Sequence, residues 1–193
     1  MTSGAYDVVG LFAASGQRAY GERLTQLHHA LQCAALARRD RADDEVVMAA
    51  LLHDVGHLTE DAAEAPQRHH GSAGAVLLQA RVPPRVAWLI EHHVVAKRYL
   101  VTVDPRYAGL LSPASQRSLV MQGARLTFDE ISLLEVHPWF GDVLRLRRWD
   151  DAAKQPEMDC EPLLEFRPLL ERWFGAQHWP SGAGIDRSPT AIR

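Results

Sequence analysis

The chain has 193 residues, 47 % of them apolar, and its 21 Lys and Arg against 24 Asp and Glu leave a formal charge of -3. That length buries one good core and is short for two comfortable domains. The near-even charge excludes a general nucleic-acid or membrane-surface binder, so an anionic ligand must be caught locally.

Apolar spacing is helical almost throughout, and alternation over a strand length is hard to find. "AYDVVGLFAAS" reads as a first helix stopped near Gly16. From Glu22, "ERLTQLHHALQCAALARRD" places Leu24, Leu27, Leu31 and Ala34 on one side and ends in arginines that suit a helix C-terminus. Asp43 or Asp44 caps "EVVMAALLHDV", which Gly56 is expected to end. A polar loop, "GHLTEDAAEAPQR", leads to the helix "HHGSAGAVLLQ", where Gly71 and Gly74 permit a close neighbour. Pro83 and Pro84 open "PPRVAWLIEHHVVAKRYL", since proline in a first turn forfeits no helical hydrogen bond.

The stretch from 101 to 127 begins irregularly, and Ser112-Pro113 reads as a cap and first turn. A long loop there suits a lid or ligand contact. "FDEISLLEVH" runs to Pro138, "PWFGDVLRLRRWDDAAKQ" restarts a helix, and "EPLLEFRPLLERWF" kinks or breaks at Pro168. After Gly175 the chain turns rich in Gly, Ser and Pro. The expectation is an all-α domain over 1–175, with roughly seven to nine helices and a poorly ordered tail over 176–193.

Cys33 and Cys160 form no CxxC pair, which argues against a disulfide framework or cysteine-rich zinc site and fits a reduced interior. The N-terminus lacks a signal-peptide pattern, and no apolar run nears the ~18 residues of a membrane span. A cytoplasmic location is expected.

Ten histidines are the abnormal feature, and eight fall in tight groups: His28 with His29, His53 with His57, His69 with His70, His92 with His93. A lone His-Asp pair such as His53-Asp54 is more often a satisfied core histidine beside a turn residue. This pair has company: His29, His70 and His93 lie in predicted helices of small or apolar residues, where a shared metal offsets the cost of burying each imidazole. Imidazole and carboxylate without thiolate suit iron, zinc, manganese or nickel. With a late aspartate the count reaches six, too many for one open catalytic ion, and two metals bridged by Asp54 are the natural solution. Periodicity does not choose between His69 and His70 or between His92 and His93, while Asp150 stands about one helical turn before Lys154.

Over residues 20 to 155, "HALQCAALA", "LLHDVGH", "HGSAGA", "HVVAKRYL", "LSPAS" and "RRWDDAAK" resemble the HD-domain superfamily. Within it they are most similar to the mixed-valence diiron oxygenases that degrade organophosphonates, relatives of the inositol oxygenases. The resemblance implies an HD-domain helical bundle whose metal ligands are His29, His53, Asp54, His70, His93 and Asp150, with Asp151 in reserve. It implies two iron ions as a Fe(II)/Fe(III) pair, dioxygen as co-substrate, and cleavage of the C-P bond of a 1-hydroxyalkylphosphonate to phosphate and a carboxylic acid.

The same resemblance makes Lys97, Ser115, Ser118 and Arg147 phosphonate contacts, with Lys97 one helical turn after His93 and Arg147 one turn before Asp150. It makes His57 a substrate contact and, with Lys97, a catalytic residue. Tyr20 would gate an iron site and Glu22, seven residues before His29, would hold a substrate amine. Tyr20 stands one residue closer to Glu22 than that pattern has it, so 2-amino-1-hydroxyethylphosphonate, its N-methylated analogues and hydroxymethylphosphonate all stay open.

An upstream enzyme making the 1-hydroxyphosphonate is the implied partner, with no nucleic acid and no membrane. The rival class is an HD phosphohydrolase attacking a phosphate ester or nucleotide with the same ligands. His28, His69, His92, His137 and His178 are left out of the metal set. Trp139, Phe140, Trp149, Trp173 and Phe174 read as packing aromatics.

Overall fold

The computed structural model describes residues 7–21, 23–59, 70–123, 125–177 and 179. Helix α1 (Val8–Ser15) starts where the Asp7 carboxylate accepts the Gly10 N–H. The expected helix from Glu22 does not form there. A short antiparallel ribbon takes its place, β1 (Ala19–Gly21) against β2 (Leu24–Thr25), and Arg23 turns it at φ 62°. Extended Thr25 then caps α2 (Gln26–Arg39) by accepting the His28 N–H, so the helix starts four residues later than periodicity implied. Glu22 itself lies outside the described residues.

Asp43 caps α3 (Asp44–Leu52), accepting from the Glu45 and Val46 N–H groups. This helix ends at Leu52, before Gly56, and a 3-10 turn follows over Val55–Leu58. Gly56 is there for contact: a Cβ on it would stand 2.1 Å from the His70 carbonyl oxygen, at the start of α4 (His70–Leu78). Gly71 and Gly74 do what their spacing implied, since Cβ atoms there would meet the Glu91 carbonyl oxygen at 3.0 Å and Ile90 at 3.2 Å. Both neighbours lie on α5 (Pro84–Val103), the 20-residue helix that passes behind the site.

The middle of the chain supplies α6 (Tyr107–Leu110) and α7 (Pro113–Met121), the latter capped by Ser112. Next come α8 (Phe128–Glu135), closed by a Thr127/Glu130 capping box, and α9 (Phe140–Ala152). A 3-10 turn at Leu163–Phe166 precedes α10 (Arg167–Phe174), with Pro168 in its first turn, so the break expected at that proline falls just ahead of it. The fold is all-α apart from the ribbon, with ten α-helices among the described residues. The excess over seven to nine includes α6, a single turn too short to leave a periodic signal.

Helices α2, α3, α5 and α9 surround the main core, where Leu27, Leu31, Met48, Leu51, Leu52, Leu89, Ile90 and Leu146 are fully buried. Burying each such side chain contributes about 1.5–3 kcal/mol. A smaller cluster of Tyr99, Leu100, Tyr107, Leu111, Leu126 and Leu134 seats the middle segment on α5. Of the expected tail, residues 178 and 180–193 lie outside the described set. Gln177 accepts the Val9 N–H at 3.5 Å, and Trp179 donates to Glu171 at 3.2 Å. Among the described residues no helix is long and apolar enough to cross a membrane.

Candidate metal centre and anion pocket

Because α3 stops at Leu52, Asp54 adopts φ -101° and ψ 11°, outside helical geometry. Adjacent His53 and Asp54 therefore escape the 100° separation of helical neighbours and reach one point. Two groups of three converge there: His29, His53 and Asp150, and Asp54, His70 and His93. The Oδ2 of Asp54 faces the first group, 3.6 Å from His29 Nε2 and 3.4 Å from His53 Nε2. Its Oδ1 faces the second, 3.3 Å from His70 Nε2 and 3.4 Å from His93 Nε2. Asp150 completes the first group with Oδ1 3.4 Å from His29 Nε2. All six expected ligands are thus brought together, and Asp150 stands in the cluster while Asp151 turns away to Arg147 and Tyr107.

The imidazoles are oriented from behind. His29 Nδ1 lies 2.7 Å from the Ala153 carbonyl, His53 Nδ1 2.9 Å from that of Ala50, and His93 Nδ1 2.6 Å from that of Ile90. A carbonyl only accepts, so each Nδ1 donates and each Nε2 points inward. His29 and His53 bring theirs to 3.2 Å of each other, and the Nε2 atoms of His70 and His93 stand 3.0 Å apart. Each close pair of ring nitrogens calls for a proton or a metal ion between them. The buried Asp150 Oδ1, which accepts no hydrogen bond, makes the same demand. These residues fit a pair of metal ions bound by nitrogen and carboxylate oxygen.

Electrostatics agree with that donor set. Burial works against charge on Asp54, yet His53, His70 and His93 hold its carboxyl well below the usual range. Burial likewise opposes charge on Asp150, and Arg147 and Lys154 overcome it. Burial pushes His93 and His57 down to about 4, which leaves both neutral at ordinary pH. Burial would also lower His53, but Asp54 beside it wins and raises it well above the usual value. The centre favours positive charge at that point.

In front of the ligands lies a cavity of about 340 Å³. Its far wall is cationic: Lys97 Nζ donates to Ser118 Oγ at 2.8 Å, Lys154 Nζ donates to Ser115 Oγ at 2.8 Å, and Arg147 pairs with Asp150 at 2.6 Å. Helix α7 carries both serines on consecutive turns; α5 carries Lys97, α9 carries Arg147, and the segment just past α9 carries Lys154. Burial, then Arg147, pushes Lys97 down to about 7. Three cations beside two hydroxyls form a seat for a small dianion.

The remaining expected contacts surround the same cavity. His57 lines it and stacks on His70 with centroids 4.1 Å apart; Tyr20 lines it and stacks on His29 at 3.9 Å. The excluded histidines stay outside: His92 and His137 both stack on Trp88, and His28 faces the Met158 carbonyl. His69 and His178 lie outside the described residues.

Several lining residues carry no expectation from the sequence, among them Arg117, Lys154, Gln26 and Gln122. Lys154 had a signal, its one-turn spacing from Asp150, but had been given no contact. Gln26 and Gln122 had none; both line the cavity, while their amide oxygens are buried away from solvent without a hydrogen-bond partner. Apart from imidazoles, Tyr20 is the one aromatic ring among the described lining residues.

Residues 27–118 match the HD domain family. The chain is 33 % identical over 169 residues to a [1-hydroxy-2-(trimethylamino)ethyl]phosphonate dioxygenase (glycine-betaine-forming) of Leisingera caerulea, covering 84 % of this chain and 86 % of that protein. It is 41 % identical over 163 residues to a hydroxymethylphosphonate dioxygenase of Gimesia maris, covering 81 % of each. An uncharacterised protein of Acanthamoeba polyphaga mimivirus is 33 % identical over 171 residues, 84 % of this chain and 78 % of its own length.

Proposed function

The chain belongs to the HD-domain family, in its dioxygenase branch, and on that premise we propose that it cleaves the C-P bond of a 1-hydroxyalkylphosphonate. The products are phosphate and a carboxylic acid, and the resident metals are two irons in the Fe(II)/Fe(III) state. One O2 balances the reaction: the C1–H and C1–P bonds break, and O2 takes up four electrons. The bound irons supply the redox chemistry and a Lewis-acid seat for the C1 hydroxyl.

The protein's own part is positioning and charge. His29, His53 and Asp150 would hold one metal and His70 and His93 the other, with Asp54 offering one carboxylate oxygen to each. Lys97, Lys154, Ser115, Ser118 and Arg147 seat the phosphonate, so that C1 faces the metal pair. Binding a dianion favours protonated Lys97, which in its empty pocket sits near neutrality. His57, neutral and stacked on His70, faces the substrate. Tyr20 closes the His29 side and keeps water from it. The C1 hydroxyl must be installed by a preceding hydroxylation, the reaction class expected of a partner enzyme.

The observation that carries this reading is the pair of triads sharing Asp54 at the floor of a cavity whose opposite wall is cationic. The test is metal content with product release from a panel of 1-hydroxyphosphonates, under air and under argon. About two irons per chain and phosphate released only with O2 support it. Phosphate released from a phosphate ester without O2 establishes the phosphohydrolase instead.

A further inference from the structure

We propose that Gln32 is a positioning residue of this centre: its side-chain amide pins the chain just past α9, and so sets both the carbonyl that orients His29 and the ammonium of Lys154. The proposal rests on the reading that His29, His53 and Asp150 hold one metal.

Beyond Ala152 the chain runs without helix or strand to the 3-10 turn at Leu163. Backbone polar groups buried in such a segment need partners from elsewhere. Gln32, 0 % exposed, supplies two at once. Its Nε2 donates to the Gln155 carbonyl at 2.7 Å, and its Oε1 accepts the Gln155 N–H at 3.2 Å. A backbone N–H only donates and a carbonyl only accepts, so the amide has one orientation here. The pairing amounts to one rung of a sheet ladder made by a side chain. Behind it, His28 Nε2 lies 3.0 Å from Gln32 Nε2 and 3.2 Å from the Met158 carbonyl, backing the same segment.

The pinned residue is two positions from Ala153, whose carbonyl takes the His29 Nδ1 proton. Between them stands Lys154, 2.8 Å from Ser115 Oγ and 3.4 Å from Asp150 Oδ1. Gln32 follows His29 by three residues, so successive turns of α2 carry a metal ligand and the clamp that places that ligand's partner. Filling space does not require glutamine at this position, because methionine has similar length and flexibility. The amide is required for its polar contacts, the two bonds to Gln155 and the approach of His28 Nε2.

The test compares the full-length enzyme with Gln32→Met, reading amide hydrogen exchange over residues 153–158 and bound metal per chain at fixed free metal. Expected are at least a tenfold loss of protection at the Gln155 N–H and a fall in metal from two toward one per chain. At saturating metal, KM for the phosphonate rises more than kcat falls. Leu170→Ala, a fully buried change in α10, lowers Tm but leaves metal content and exchange at 153–158 as in the wild type. Gln32→Glu keeps the acceptor and loses the donor, so it falls between wild type and Gln32→Met. If Gln32→Met does not accumulate folded, Gln32→Glu is judged by the same readings. Wild-type exchange and metal content in the glutamine variants overturn the proposal, as does equal metal loss in Leu170→Ala at matched Tm. A wild-type enzyme without two metals sinks the functional reading, and exchange at 153–158 still decides on the clamp.

Discussion

His29 Nε2 and His53 Nε2 meet at 3.2 Å with both rings committed, through Nδ1, to backbone carbonyls. Without a metal that contact needs a proton, which Asp54 favours on His53, and a bound metal replaces it while also engaging the two carboxylates. Chelation is therefore expected to lower Tm, and metal at 100 times its Kd to restore about 2.7 kcal/mol. Calorimetry with and without chelator checks this; an unchanged Tm contradicts it.

The two aspartates are not equivalent. Asp54 touches both triads and Asp150 only one. Asp54→Asn is expected to lose both metals and all activity, whereas Asp150→Asn retains close to one metal per chain. Metal analysis of the two purified variants separates them, and equal loss in both argues against a bridge.

Lys97 sets the alkaline limb. Its pocket holds it at about 7, so in the free enzyme it loses its proton as pH rises through neutrality. Binding of the phosphonate therefore weakens above about pH 7, and kcat/KM falls with it. The linkage to stability has the opposite sign: the unfolded chain keeps this proton up to ~10.4, so this group's contribution to stability grows as pH rises from about 7 toward 10. Lys97→Met should raise KM at least tenfold and abolish the limb. A limb that survives the substitution assigns the titration elsewhere.

Gly56→Ala is the structural counterpart. The added methyl would lie 2.1 Å from the His70 carbonyl oxygen, a backbone atom that cannot swing aside. Destabilisation of at least about 2 kcal/mol is expected, together with weakened metal at the Asp54, His70 and His93 group. Denaturant melts and metal titration check both parts.

Much of this centre was legible because helical spacing is a rigid code. His93 and Lys97, or Arg147 and Asp150, share a face whatever the fold around them. The choice of His70 over His69 and of His93 over His92 was beyond periodicity and came from the family likeness of their surroundings. The ribbon at residues 19–25 was invisible, since two short paired stretches leave no alternation to detect. Gln32, Gln26 and Gln122 were invisible for another reason. An amide on a helix looks like surface until the partner arrives, and Gln32's partner is 123 residues away. Glu22, on which the spacing from Tyr20 bears, lies outside the described residues.

The carbonyls that aim the imidazoles come from very different separations along the chain. For His53 and His93 the partner is three residues back, inside the same turn of backbone, and for His29 it is 124 residues ahead. Two ligands are therefore set as soon as α3 and α5 wind up, on the timescale of local helix formation. The third waits for a long loop to close, with the entropy which that closure costs. The aim of His29 thus depends on tertiary closure, and that of His53 and His93 on local backbone alone.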